Sequence, residues 1–399
     1  MTASTDRTTA HGLNRDRFPG LRDGWIRADA PGGTQPVDSC IAAIGEYMAS
    51  GRSANLHGRF AASRATDALV AQARARVGRL LGADPGGVVF GASMTALTFR
   101  LAHAVSATLR AGERIVTTRL EHDANVRPWA GAARRAGADL AFIELDPRTL
   151  ELSPESIAST IDERTRWVAV GAASNAVGAV ADLAPVIARA HEVGARVFVD
   201  AVAAAAHIRF DLADQGIDAL ACSAYKWFGP HVGILCLSPQ LTELLRPEKL
   251  IPSPSRPPES WELGTLPMES LAGVIAAVDY LEEIGMDVIA RHDDALTARL
   301  IGGLEAIAGV RVLGQPARRT PTAFFTVEGL RPRDVASGLA ERRIAAADGD
   351  VYAHELCTLL GFGAEGAARL GFAHYSGLED VDQAVAAVAA IASASRNGV

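Results

Sequence analysis

Lys226 is one of only two lysines among the 39 basic residues of the chain. A lysine amine can shed its proton and attack a carbonyl to form an imine. An arginine cannot, because its guanidinium stays charged. The other lysine, Lys249, stands in the polar, proline-rich stretch RPEKLIPSP and reads as a solvated surface residue. Lys226 instead follows an apolar run in CSAYKWFGP, and 26 residues before it Asp200 closes another apolar run, RVFVD. Alone, Asp200 reads equally well as a solvated loop carboxylate. Beside Lys226 it gains a second reading, as the acid that keeps a pyridine nitrogen protonated and makes the ring an electron sink.

Three more groups stand at comparable places. In GVVFGASMTALTFRLA a strand pattern turns into a helix pattern with Ser93 as the N-cap candidate. The free N–H groups near Met94 and Thr95 and the positive end of the helix dipole suit a phosphate dianion, although most such serines only cap. His122, in TTRLEHDANVRPW, follows another strand pattern and could lie on an aromatic ring, shuttle a proton or simply be structural. Asn175, in GAASNAVGA, could bond a phenolic oxygen or close an Asx-turn. None of these is specific by itself. Together they describe an aldehyde on a lysine, a phosphate on a helix start, a pyridine nitrogen on an acid and a ring under a histidine. That ligand is pyridoxal 5′-phosphate (PLP), held as a Schiff base on Lys226.

The elements that must position these groups alternate along the chain. Strand patterns occupy residues 87–92, 114–120, 140–145, 166–174, 196–201, 219–225 and 233–238, with helical patterns such as NVRPWAGAARRAG and DLAPVIARAHEVGA between several of them. Short apolar runs alternating with helices predict an α/β fold with a mainly parallel, doubly wound sheet, and continuous apolar strands predict helices on both its faces. Ligands bind at the carboxyl edge of such sheets, where all five groups fall. The proline-rich stretch IPSPSRPP (251–258) predicts a connection to a smaller α+β C-terminal domain, with helices, strands near VRVLG and AFFTVEG, and a final helix. The expected division is a large PLP-binding domain over 31–257, and a small domain built from 1–30 and 258–399.

Composition narrows the class. With 399 residues, 49% apolar and 21% charged, the chain is long enough for two packed domains. The net charge of −7 without like-charge blocks argues against a nucleic-acid or membrane-surface partner. Residues 1–18 lack the apolar core of a signal peptide, and no apolar run reaches membrane-spanning length, which predicts a cytoplasmic enzyme. Cys40, Cys222, Cys236 and Cys357 form no C-x-x-C pair, so no metal site is expected.

The stretches EHDANVRPW, VFVDAVAAAAH and CSAYKWFGPHVGIL carry a family likeness that runs from FPGL near Phe18 to the last helix. The chain resembles the class V aminotransferase family of fold-type I PLP enzymes, most closely the branch of cysteine desulfurases and selenocysteine lyases. The resemblance implies that Lys226 is the Schiff-base lysine and that Asp200 partners the pyridine nitrogen. It implies that His122 stacks on the ring, Asn175 lies beside the phenolic oxygen, and Ser223 binds the phosphate with the turn Ser93–Met94–Thr95. Tyr225 replaces the usual histidine before the lysine. Thr265 matches a threonine that reaches the phosphate of a neighbouring subunit, which implies a homodimer with shared active sites. Arg369 matches the arginine that grips a substrate α-carboxylate, as a guanidinium does well. Asn55 and His57 fall where the family lines the substrate entrance.

The departures are informative. The persulfide-forming cysteine of desulfurases, in R-x-G-H-H-C, is matched here by Tyr352, a candidate substrate contact, and the arginine of that motif by Ala347. Cys357 lies five residues on, at helical spacing that predicts packing. Ala203 replaces the polar residue that usually touches the phenolic oxygen. These features predict a PLP-dependent lyase that cleaves the C–S bond of an S-substituted cysteine by β-elimination, with no acceptor cysteine. Decarboxylation-dependent oxidative deamination of a cysteine S-conjugate, as in lincosamide-type antibiotic biosynthesis, is the alternative, followed by cysteine desulfurase or selenocysteine lyase activity.

Overall fold

The computed structural model describes residues 12–397. Its centre is a seven-stranded sheet in the order Val88–Gly91, Gly233–Leu237, Ala219–Ser223, Arg196–Asp200, Thr165–Gly171, Arg114–Thr118, Asp139–Ile143. Gly233–Leu237 runs antiparallel to both its neighbours, and every other pairing is parallel. All seven expected strands form, each ending one to three residues before its apolar pattern does. Those trailing residues leave the ladder to turn towards the carboxyl edge.

The continuous apolar strands have the predicted cause. Val197 and Val199 face one buried cluster while Phe198 faces the other, and the same alternation holds for Leu220 and Cys222 against Ala219 and Ala221. With period two and both faces covered, every position is apolar. Each Val, Leu or Phe among them contributes about 1.5–3 kcal/mol by leaving water, and the alanines less. The Arg127–Ala136 helix ends on Gly137 at φ 67°, and the Leu183–Glu192 helix is capped by the Asp182 carboxylate accepting from the Ala184 amide at 3.2 Å.

The second unit holds an antiparallel sheet ordered Ala347–Gly349, Ala367–Gly371, Thr322–Val327, Val310–Val312. The two strands Ala347–Gly349 and Ala367–Gly371 were not marked by an apolar pattern in the sequence. The first is the three-residue piece ADG, whose pairing comes from its neighbour rather than from propensity.

Packing moves the expected domain division. The Met268–Ile284 helix lies beyond the proline-rich stretch, yet Leu271, Val274, Val278 and Leu281 are buried in the large unit's cluster. Gly273 is what lets it sit against the Asp38–Ala49 helix, since a Cβ there would stand 3.0 Å from the Cys40 sulfur. The smaller unit's own cluster starts at Leu296 and recruits Ala28 from the N-terminal segment, whereas Phe18 and Leu21 join the large one. We propose that the seam falls after Ile284 rather than at 257/258. No helix among the described residues is long and apolar enough to cross a membrane.

Candidate active site

Five strand ends of the large sheet and two strands of the small sheet enclose a cavity of about 350 Å³. Asp200 ends the Arg196–Asp200 strand with its carboxylate buried, one oxygen accepting from the Val202 amide at 2.9 Å. Burial pushes the carboxyl up to about 6. On the neighbouring Ala219–Ser223 strand, Ser223 is buried at the cavity wall, and a single 3-10 turn, Ala224–Lys226, carries the chain on to the lysine.

Lys226 lines the same cavity, its Nζ donating to the Pro31 carbonyl and lying 5.1 Å from the centre of the Tyr225 ring. Burial and the nearby Arg369 charge bring the amine down to about 8. It is therefore a partly deprotonated nucleophile near neutrality. Tyr225 stacks on His231 at 4.8 Å. Lys249, by contrast, donates to the Ser253 carbonyl of its own loop at 2.9 Å.

Ser93 caps the Met94–Ser106 helix, its Oγ accepting from the Ala96 amide at 3.1 Å, and leaves Met94 and Thr95 at the cavity. Gly233 makes this arrangement possible. It pairs with Ser223 on one side and Gly91 on the other, and a Cβ on it would stand 2.1 Å from the Ser93 carbonyl carbon. Only glycine lets the helix start close against the Ser223 strand end, so amides, dipole and hydroxyl converge as a phosphate cradle requires.

His122 follows the Arg114–Thr118 strand, and its Nδ1 accepts from the Ala124 amide at 3.0 Å, which leaves the ring proton on Nε2. Burial and the charges of Lys226 and Arg369 push it down to about 4, so the imidazole is neutral. Its ring stacks on that of Tyr352 with centroids 5.1 Å apart. Asn175 donates from Nδ2 to the Val351 carbonyl at 2.6 Å, and its buried Oδ1 has no hydrogen-bond partner.

Arg369 rises from the Ala367–Gly371 strand, buried to 5% exposure. Its Nη1 donates to the Asn175 carbonyl at 2.9 Å, while its Nε is buried without a partner. A desolvated guanidinium short of acceptors at a cavity wall is a carboxylate site in waiting.

Three expected residues are elsewhere. Asn55, His57 and Thr265 are exposed and do not line the cavity. The Asn55–His57 segment is turned outwards, with the Asn55 carbonyl accepting from Ser63 Oγ and the His57 amide donating to Asp67. Any role they have in a site is not in this chain's own cavity. Ala203, Ala347 and Tyr352 do line it, as do two residues the sequence reading passed over, Glu121 and Pro31. Glu121 was hidden because EHD reads as a polar loop, and Pro31 because its contribution is a backbone carbonyl.

Cys357 is fully buried on the His354–Leu359 helix, its thiol pushed up to about 12 by burial. All four cysteines are free and buried, and none lines the cavity. No cluster of side chains suited to a metal ion occurs among the described residues.

The donor set fits PLP. A helix start and Ser223 await a phosphate, Asp200 a protonated ring nitrogen, the orphaned Asn175 Oδ1 a phenolic hydroxyl, and Lys226 an aldehyde.

Comparison with known proteins agrees. Residues 26–384 match the family model "Aminotransferase class-V". An uncharacterised protein of Mycobacterium tuberculosis is 32% identical over 394 residues, spanning 94% of this chain and 98% of its own. A probable cysteine desulfurase of Pseudomonas putida is 32% identical over 372 residues, 89% of this chain and 90% of its own. Among solved structures, a cysteine desulfurase from Thermococcus onnurineus superposes with a TM-score of 0.89 at 26% identity, covering 95% of this chain and 97% of its own. One from Escherichia coli gives 0.85 at 27%, covering 94% and 97%. The chain belongs to the class V aminotransferase family, the fold-type I enzymes that work with PLP.

Proposed function

We propose that this enzyme is a C–S lyase acting on an S-substituted cysteine and releasing the thiol by β-elimination. The observation that carries the reading is the cavity wall itself. Tyr352 stands at the turn where a sulfur acceptor would be needed, and Cys357 is sealed in the core with its Sγ against the Asp350 carbonyl at 3.8 Å. No cysteine lines this cavity to attack the substrate sulfur.

Each residue then has a task. Arg369 binds the substrate carboxylate and so fixes the α-carbon near Lys226. The bound PLP supplies an electron-accepting ring that stabilises negative charge at that carbon. Asp200 would hold the proton on the ring nitrogen, and His122 would offer its neutral ring as a stacking partner. Lys226, as a free amine at the cavity wall, would take the α-proton. The Cβ–S bond breaks with its electron pair on sulfur, which leaves as thiolate and is protonated from solvent. Hydrolysis of the remaining fragment gives pyruvate and ammonia.

We further propose a homodimer, because Thr265, Asn55 and His57 are exposed on a chain whose own cavity does not use them.

A second reading, cysteine desulfurase, draws on the names of the relatives. A third, oxidative loss of CO2 and the amine from the same substrate type with dioxygen as the oxidant, draws on Ala203, which leaves the ring one polar neighbour fewer. Incubation of the PLP-loaded enzyme with a panel of cysteine S-conjugates decides among them. The lyase reading requires equimolar thiol and pyruvate. Sulfur accumulating on Cys357 from free cysteine, or an S-linked aldehyde with CO2, would replace it by the second or third.

A further inference from the structure

Glu121 and Asp200 are the two buried carboxylates that line the cavity. Glu121 is fastened by three donors. Its Oε1 accepts from Thr118 Oγ1 at 2.7 Å and from the Gly171 amide at 2.9 Å, and its Oε2 accepts from Asn125 Nδ2 at 2.7 Å. The Asn125 amide cannot turn to offer its oxygen instead, because Oδ1 already accepts from Trp129 Nε1 at 3.0 Å. Burial pushes this carboxyl up to about 7, the three donors pull against that in favour of the ionised form, and its charge is complete only above that pH.

The position of that charge is set by the sheet. Gly171 is the cross-strand partner of Asp200, and the Ala172 amide donates to the Asp200 carbonyl at 2.8 Å. Paired residues on adjacent strands project from the same face of a sheet. Gly171 has no side chain, and a Cβ built on it would stand 2.9 Å from Glu121 Oε2. The Glu121 carboxylate thus fills the side-chain space of residue 171, next to the side chain of Asp200.

We propose that Glu121 is a positioning residue that acts through Asp200: its carboxylate, standing in the side-chain space of Gly171, sets a second negative charge beside Asp200 and so holds the proton on the cofactor's ring nitrogen. Two carboxylates buried side by side raise each other's affinity for a proton, and a ring N–H docked on Asp200 answers both. In their own right Asp200 is pushed up to about 6 and Glu121 to about 7, mainly by burial. Of the other ionisable groups of the cavity, the exposed Asp348 on the Ala347–Gly349 strand is a further carboxylate that adds to this field, and the rest weigh against it or leave it alone. Lys226, from the turn after Ser223, and Arg369, from the small sheet, are cations that oppose it, and His122 on the Glu121 segment is neutral.

The test is read on the bound cofactor and needs no substrate. PLP labelled with the heavy nitrogen isotope in its ring is loaded into wild type, Glu121→Gln, Glu121→Asp and Gly171→Ala. The ring-nitrogen resonance is then followed against pH. Removal of the charge in Glu121→Gln lowers the apparent pKa of the ring nitrogen by about one unit or more, as expected for loss of a close like charge. Glu121→Asp, which keeps the charge, restores most of it, and Gly171→Ala, which crowds the carboxylate away, moves it in the same direction as Glu121→Gln. A purely structural role leaves the resonance of the bound fraction unmoved while occupancy and melting temperature fall, and that result overturns the proposal. Should Glu121→Gln fail to fold, an unmoved resonance in Gly171→Ala overturns it equally.

Discussion

The rings of His122 and Tyr352 are stacked 5.1 Å apart and 22° from parallel, joining the large sheet's carboxyl edge to a turn of the smaller unit. That turn is strained. Val351 and Tyr352 have φ of 46° and 62°, two successive side-chain-bearing residues in the left-handed region. The strain is held in place by the Asn175 Nδ2 bond to the Val351 carbonyl and by the Asp123 amide donating to the Tyr352 carbonyl at 2.7 Å. Tyr352 itself is 68% exposed, so its ring contributes little burial. A Tyr352→Gly variant relieves about 1–2 kcal/mol of left-handed strain, offset in part by the freer unfolded chain. It should therefore melt at or slightly above the wild-type temperature. Loss of the stack, worth about 0.5–1.5 kcal/mol, should lower kcat/KM by up to about tenfold. A variant that melts well below wild type would show that the ring stabilises the fold instead of serving the site.

Arg369 links two measurable properties. Replacing it by Gln removes the charged donor proposed for the substrate carboxylate, an expected loss of about 1.5–3 kcal/mol, which should raise KM roughly 10- to 150-fold. The cofactor groups on Asp200, Ser223 and the Met94 helix start are untouched, so PLP occupancy should hold. Burial is the main cause that brings Lys226 down to about 8, and the same substitution removes the positive neighbour that adds to it. With that charge gone the amine pKa rises, so the unprotonated fraction at neutral pH falls. Capture of PLP by apoprotein should then reach its plateau at higher pH than in wild type. A raised KM with an unchanged capture profile would mean that Arg369 binds substrate but does not tune the lysine.

How far the sequence led to this site follows from where each group sits. Asp200, Lys226, Ser93, His122 and Asn175 each follow an apolar strand, and a parallel sheet gathers such positions at one edge, so their convergence was legible before any contact was known. Arg369 was reachable only through family resemblance, since the strand that carries it, AARLG, has no distinctive pattern. Glu121 was not legible at all. Its burial depends on Gly171, a residue 50 positions away whose missing side chain makes the space. Thr265, Asn55 and His57 show the opposite limit: a motif can be matched while the chain alone gives it nothing to touch.

His374 gives the enzyme a prescribed response to acid. It lies just after the Arg369 strand, fully enclosed by Phe18, Phe228 and Tyr280, with the Phe228 ring centred 4.4 Å away. Its Nε2 bonds the Tyr280 hydroxyl at 2.8 Å, and its Nδ1 has no partner. Burial, with the neighbouring His292 and His207, pushes it down to about 3. Because the folded value lies below the unfolded one near 6.5, the unfolded chain binds the proton first. The stability this histidine permits is complete above pH 6.5 and is lost as the pH falls from there towards 3. Between pH 7 and pH 5 the loss should be about 2 kcal/mol. Asp200, Glu121, Asp29 and Asp293 are raised, so their contributions run the other way, and His122 is lowered and adds to the loss; the raw profile therefore mixes several groups. The informative quantity is the difference between wild type and His374→Gln, which keeps a partner for the Tyr280 hydroxyl but cannot take up the proton. Urea midpoints at pH 7 and pH 5 should show the variant losing about 2 kcal/mol less than wild type over that interval. Equal losses in the two proteins would mean that His374 is protonated in the fold at pH 5, and that its aromatic enclosure admits water.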